Sequence, residues 1–200
     1  MYTHSELNSL AAEYVRKSMK AGLVLVEHRC VTTREIVDVA AFRPGVMINI
    51  EIKATRSDFL KDKAKPHRKT PSMGVGHYRF YFAPKGVITV DDLPHGWGLL
   101  EVFGNGKVKP TLVPPLIRSL QHSEAYKSRA QRDTGGVLSD REERTLEFFF
   151  DECNEKGHMD YLYSAYRQLI LASQEGCGVE PTEVFSRPEG LVKNVLKFVG

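Results

Sequence analysis

The sequence predicts an α/β core followed by a helical C-terminal part. Three observations carry this. Short runs rich in Val, Ile, Phe and Tyr, bounded by Gly, Pro and Asn turn signals, recur between residues 23 and 113. Helical spacing precedes the first run and returns between the third and the fourth. From about residue 115 the strand patterns stop and helical ones take over.

The elements follow in order. Residues 4–20 read as a helix, with Leu7, Leu10, Ala11 and Tyr14 on one face and Gly22 as the stop. LVLVEH (23–28) is a short strand. REIVDVAAF (34–42) is a second, closed by the turn Arg43-Pro44-Gly45, and VMINIEIK (46–53) a third. SDFLKDKAK reads as a helix over 57–65, with Ser57 as its N-cap and its end set by Pro66. Residues 66–77 have loop composition, and His67 and His77 are expected in solvent there. YRFYFAP (78–84) is a strand whose Tyr78, Phe80, Tyr81 and Phe82 are expected to pack the sheet. WGLLEVF and KVKPTLV are joined by Gly104-Asn105-Gly106, a hairpin signal. The division expected is a core over 1–114, a polar linker or arm over 115–138 holding Lys127, Arg129 and Arg132, and a helical region over 139–200. In that last region Ser139 to Glu142 form a capping-box pattern. One helix face runs through Leu146, Phe149, Phe150 and Cys153, another through Leu162, Ala165, Tyr166, Leu169 and Ile170, and LVKNVLKFV (191–199) reads as a final helix.

Composition narrows the function classes. The 42% hydrophobic and 26% charged residues of this 200-residue chain suit a packed core rather than disorder. No apolar run approaches the roughly 18 residues of a spanning helix, and the mixed charges of the N-terminus do not suit a secretory signal. Cys30, Cys153 and Cys177 are isolated, which argues for a reducing cytoplasm. The net charge of +3 is unevenly spread: residues 53–69 hold seven Lys or Arg against Asp58 and Asp62, leaving −2 for the rest. Such a stretch is either a solvated helix face or a place that attracts a polyanion.

The polar residues of the third strand carry the chemistry. Alternation sets Val46, Ile48, Ile50 and Ile52 on one face and Met47, Asn49, Glu51 and Lys53 on the other. On the preceding strand Val37 and Val39 share a face, and Asp38 sits opposite with no local partner. A buried carboxylate must be neutralised. If the two strands are neighbours across the turn, Asp38 and Glu51 converge. That gives an oxygen site suited to Mg²⁺ or Mn²⁺, with the Ile52 carbonyl as a third ligand. Lys53 would stand beside it, to orient or deprotonate a water or to stabilise charge on a phosphate. Because Lys53 leaves the apolar stripe untouched, Lys53→Ala is expected to spare the fold. The alternative is a surface face with a Glu–Lys pair and a stray Asp.

Asp38, then twelve residues, then Glu51-Ile52-Lys53, followed by a basic helix, resembles the PD-(D/E)XK nuclease superfamily. Val37 replaces the usual Pro. The likeness spans about residues 5–105 and is nearest to MmcB-like DNA repair proteins and related phage proteins, through EIKATRSDFLKDK and YRFYFAP. It implies a mixed central sheet flanked by helices and a Mg²⁺- or Mn²⁺-dependent deoxyribonuclease, an endonuclease acting in DNA repair or phage DNA metabolism. Asp38 and Glu51 would be metal ligands and Lys53 the catalytic lysine, with no organic cofactor. An acid from the first helix, Glu13 or Glu6, would join them. From their own place at the end of the first strand, His28 is expected near the site and Glu27 as a further acid at its edge. DNA would lie along Arg56, Ser57, Lys61, Lys63, Lys65, Arg68 and Lys69, and a homodimer would suit double-strand cutting. A silent nucleic-acid-binding or protein-interaction module on the same fold is the competing expectation.

Overall fold

The computed structural model describes residues 2–30, 33 and 35–174. In chain order the elements are α1 (His4–Lys17), β1 (Leu23–Val26), β2 (Val39–Arg43), β3 (Val46–Ile52), α2 (Arg56–Asp62), α3 (Pro66–Lys69), β4 (Tyr78–Pro84), β5 (Trp97–Val102), β6 (Val108–Leu112), α4 (Ser123–Thr134), α5 (Asp140–Leu146) and α6 (Glu155–Gln174). The strands form one mixed sheet in the order β1-β2-β3-β4-β5-β6. β1, β2 and β3 pair antiparallel, β3 with β4 and β4 with β5 parallel, and β5 with β6 antiparallel. A parallel neighbour needs a long crossover, and α2 and α3 lie within the one from β3 to β4. Among the described residues no helix is long and apolar enough to cross a membrane.

β3 is the centre of the molecule and is buried along its whole length. Val46, Ile48, Ile50 and Ile52 pack with Leu7, Ala11 and Val15 of α1, so alternation reads this face correctly. Met47 points the other way, toward Leu25, Phe42 and Tyr161 of α6. Both faces are covered because strands paired in parallel have helices on their faces. α1 starts at Thr3, whose side chain and that of Glu6 form a capping box.

Five expectations about elements are corrected. Residues 35–37 leave the sheet, and β2 starts only at Val39. Val37 therefore joins the Met47 side of the core while Val39 faces α1. Its N–H donates to the Tyr161 hydroxyl at 3.0 Å instead of to a strand. Helix α2 is capped by Thr55, whose backbone is extended and whose side chain accepts from Asp58 N–H, so Ser57 is an exposed first-turn residue. The 66–77 stretch holds α3 and a 3₁₀ turn at Pro71–Met73, and His77 is buried. The polar stretch 115–138 contains the twelve-residue helix α4, held by Tyr126 and Ala130 and closed by Gly135 in the left-handed region. Arg129 there is paired with Glu142 and Lys127 with Glu124. α5 ends at Leu146, so Phe149, Phe150 and Cys153 belong to the turn before α6 rather than to one helix face. The helix expected at 191–199, and Cys177, lie outside the described residues.

Candidate active site

The site lies at the end of the sheet where β1 and β3 finish and β2 begins. Pairing sets Val39 opposite Ile50 and Val26 opposite Val39. One step further, the register would align Glu27, Asp38 and Glu51 in a row across three strands. The chain departs from the ladder there, and the Asp38 carboxylate takes over. Its Oδ2 accepts the Ile52 N–H at 2.7 Å, a bond that a strand carbonyl would otherwise receive. Glu27 donates its N–H to the Asp38 carbonyl at 2.8 Å and holds a left-handed φ of 46°. A long side chain rarely adopts that conformation, and strain of this kind gathers at functional sites. His4, in the first turn of α1, completes the rim: its Nε2 lies 3.4 Å from both Asp38 Oδ1 and Glu27 Oε1. The hydrogen bond to Asp38, and the charges of Asp38, Glu27 and Asp58, raise its pKa.

Behind this rim is a closed ionic network. Lys53 Nζ is 3.1 Å from Glu51 Oε2 and 3.4 Å from Asp62 Oδ1. Arg68 reaches three carboxylates: Glu35 Oε1 at 2.7 Å, Glu51 Oε1 at 3.0 Å and Asp62 Oδ2 at 2.7 Å. Its guanidinium also lies over the Trp97 ring at 4.6 Å. The side chains of Glu51 and Lys53 are only 2% and 5% exposed, against 21% for Asp38, 42% for His4 and 43% for Glu27. Solvent thus meets the His4–Glu27–Asp38 rim first. Burial raises the Glu51 pKa, offset in part by Arg68 and Lys53. Burial alone would lower the Lys53 pKa, but Glu51, Asp62 and Asp38 outweigh it and raise it. Lys53 is therefore an ammonium at neutral pH.

Does this donor set fit a divalent cation? Arg68 Nη2 is close to Glu51 Oε1, yet its N–H does not point along the contact, and Oε1 is left buried without a hydrogen bond. A buried carboxylate oxygen without a hydrogen bond is one that a hard cation could satisfy, although the Arg68 guanidinium 3.0 Å away already offsets its charge. Asp38, Glu51 and the Ile52 carbonyl are the oxygen donors at this strand end that such an ion would use. Asp38 Oδ2 already accepts Ile52 N–H, so a coordinating atom there would be Oδ1, 3.4 Å from His4 Nε2.

The other residues singled out in the sequence divide. Glu13 is an exposed residue paired with Lys17, and Glu6 is spent on the capping box. Neither acid reaches Asp38. The α1 residue that does is His4, which the search for acids passed over. Arg68 is not a phosphate contact, because its side chain is buried among three carboxylates. Arg56 pairs with Asp92, and Lys63 donates to the Asp92 carbonyl at 3.0 Å. Lys65 is 2.6 Å from Asp62. Ser57, Lys61 and Lys69 remain exposed on the outer side of α2 and α3. Glu35 and Asp62, unremarked in the sequence, are the acids that hold Arg68. Their role was not readable because they come from separate segments.

No protein-family model matches the chain, and no curated protein matches it. A solved protein of unknown function from Silicibacter pomeroyi aligns at 16% identity over 90% of this chain and 97% of its own, with a TM-score of 0.48.

A second group of donors lies at the opposite end of the strands, where β3 and β4 begin: His77, Cys153 and His158, with His122 and Glu155 at its edge. It does not suit a metal. A ligating histidine donates the N–H of its other nitrogen to an acceptor. Here His77 Nδ1 accepts Met47 N–H at 3.1 Å, and His158 Nε2 accepts Gly76 N–H at 2.8 Å. Each neutral ring therefore keeps its proton on the remaining nitrogen, which a metal would need free. Burial lowers His77 to about 4 and His158 to about 3, and it pushes the Cys153 thiol up to about 11. The group is a neutral packing cluster, with His77 stacked on Phe149 at 5.3 Å.

Proposed function

We propose that the chain is a divalent-metal-dependent deoxyribonuclease that hydrolyses phosphodiester bonds, in DNA repair or phage DNA metabolism. The observation that carries this is the Asp38 carboxylate bonded to Ile52 N–H at 2.7 Å, beside a Glu51 whose Oε1 lacks a hydrogen bond. Asp38, Glu51 and the Ile52 carbonyl would hold the ion, which when bound would supply Lewis-acid charge and an activated water. The chain's own residues do the rest. Lys53, held as an ammonium, places positive charge where a phosphate would develop negative charge, and does not take a proton from water. Lys61 and Lys69 offer phosphate contacts along α2 and α3.

One observation favours the silent module instead. Glu51 and Lys53 are nearly closed to solvent, and Arg68 already compensates Glu51. Asp38→Asn separates the two readings. An amide oxygen still accepts Ile52 N–H, so the strand end is kept, while a ligand charge is lost. The expected result is supercoiled-plasmid and single-stranded DNA cleavage by the wild type in Mg²⁺ or Mn²⁺, none with chelator, and a drop of at least about 100-fold in the variant at unchanged DNA affinity. Wild-type protein that binds both DNAs and cuts neither would establish the silent module.

A further inference from the structure

We infer that Asp62 is the positioning residue of the Lys53 ammonium, locked for that task by Arg68 and Tyr81. The inference rests on the nuclease reading only for its effect on turnover; the geometry stands apart from it. Lys53 Nζ has two anchors, Glu51 Oε2 and Asp62 Oδ1. Glu51 sits two residues away on the same strand end and alone leaves the long lysine stem free to swing around it. Asp62 comes from the last turn of α2 and fixes the second direction.

Asp62 itself is held from several sides. Arg68 Nε donates to its Oδ2 at 2.7 Å and Arg68 Nη2 to its Oδ1 at 3.3 Å. The Tyr81 hydroxyl donates to Oδ2 at 2.9 Å, and Lys65 Nζ lies 2.6 Å from Oδ1. Its side chain is 2% exposed. An acid at a helix C-terminus is disfavoured by the helix dipole, so nothing in α2 itself calls for one there. The holders are rigid. Tyr81 is paired across the sheet with Glu51 and stacked on Trp97 at 4.5 Å. Arg68 is fixed at its far end by Glu35, which also accepts Val75 N–H at 2.7 Å. The burial of Asp62 favours its neutral form, but Arg68 and Lys53 hold its pKa well below the usual carboxylate range, so the anchor is charged.

The test reads Lys53 directly. An ammonium fixed between two buried carboxylates exchanges protons slowly and gives a resolved ¹H–¹⁵N signal. That signal should be present in the wild type and lost in Asp62→Asn. Tyr81→Phe, which removes one hydroxyl and keeps the ring, is the variant certain to leave the core filled, and it should weaken the signal. In cleavage assays Asp62→Asn should lower kcat about 100-fold, as for a displacement of about 1 Å, with KM and DNA affinity within about twofold. Tyr81→Phe should lower kcat severalfold in the same manner. A Lys53 signal that persists in folded Asp62→Asn, or a kcat unchanged in both variants of an active enzyme, overturns the inference. A signal lost as expected in a protein whose wild type never cuts DNA upholds the positioning and overturns the nuclease reading alone.

Discussion

Lys53 shows how far a residue's meaning depends on what lies behind it. Alternation places it off the apolar stripe, and from that the sequence predicts that removing it spares the fold. The side chain is instead 5% exposed between Glu51 and Asp62. Removing one member of a buried ionic group strands its partners, and this typically costs about 3–5 kcal/mol. Lys53→Met should therefore lower the unfolding free energy, measured by denaturant titration, by an amount in that range. The double variant Lys53→Met/Glu51→Gln, which removes both charges, should recover part of the loss, since residues sharing one network do not add. A single-variant loss under about 1 kcal/mol would mean that water reaches the network and that Lys53 stands free. For this reason Asp38→Asn, at the open rim, is the cleaner probe of chemistry.

Among the elements, α2 tests cap chemistry most sharply, because two good capping residues stand two apart. Thr55 has the extended backbone and the bond to Asp58 N–H; Ser57 is already inside the helix. Thr55→Ala should lose about 1 kcal/mol in thermal or urea unfolding, and Ser57→Ala only a few tenths. The reverse order would move the helix start. Apolar runs, turn signals and helical spacing located the six strands and the first helix. They overextended β2, since Ile36, which is 55% exposed, looks like a strand residue until the Tyr161 hydroxyl draws Val37 away. They misjudged α4, whose polar surface hides a narrow apolar seam of Tyr126 and Ala130. Within the candidate site, Asp38, Glu51, Lys53 and Glu27 were legible from strand position. Arg68 was not: a basic run states how much charge is present and not which side chain turns inward. His4 was missed because it precedes the periodic face that defines α1.

At the scale of the whole molecule, the C-terminal helices are joined to the sheet through neutral histidines, and acid should part them. His77 carries the start of β4: its Nδ1 takes Met47 N–H, and its carbonyl takes Phe150 N–H at 2.9 Å. His158 of α6 takes Gly76 N–H, and Asn154 N–H goes to the Gly74 carbonyl at 2.9 Å. Protonating either acceptor nitrogen would set two N–H groups against each other. The native rings have pKa values lowered to about 4 and about 3, while an unfolded histidine titrates near 6.5. Between those limits the unfolded chain binds more protons than the native one, so stability is full above about pH 6.5 and falls as the pH drops through 4 and then 3. Carboxylates such as Asp62, held below its usual range, join the loss only below about pH 4. The window from about 6.5 to 4.5 therefore belongs to histidines and to Glu51, whose pKa burial raises and which acts in the sense opposite to His77 and His158. His28 and His67, also lowered by burial, act in the same sense as that pair, and His4, raised beside Asp38, acts in the opposite one. Urea midpoints measured across that window should fall for the wild type. They should fall less steeply for His77→Asn/His158→Gln, whose amide oxygens stand where Nδ1 and Nε2 accept the two backbone N–H groups but do not titrate. An equal slope in both proteins would show that the sheet and the C-terminal helices are not joined by these rings.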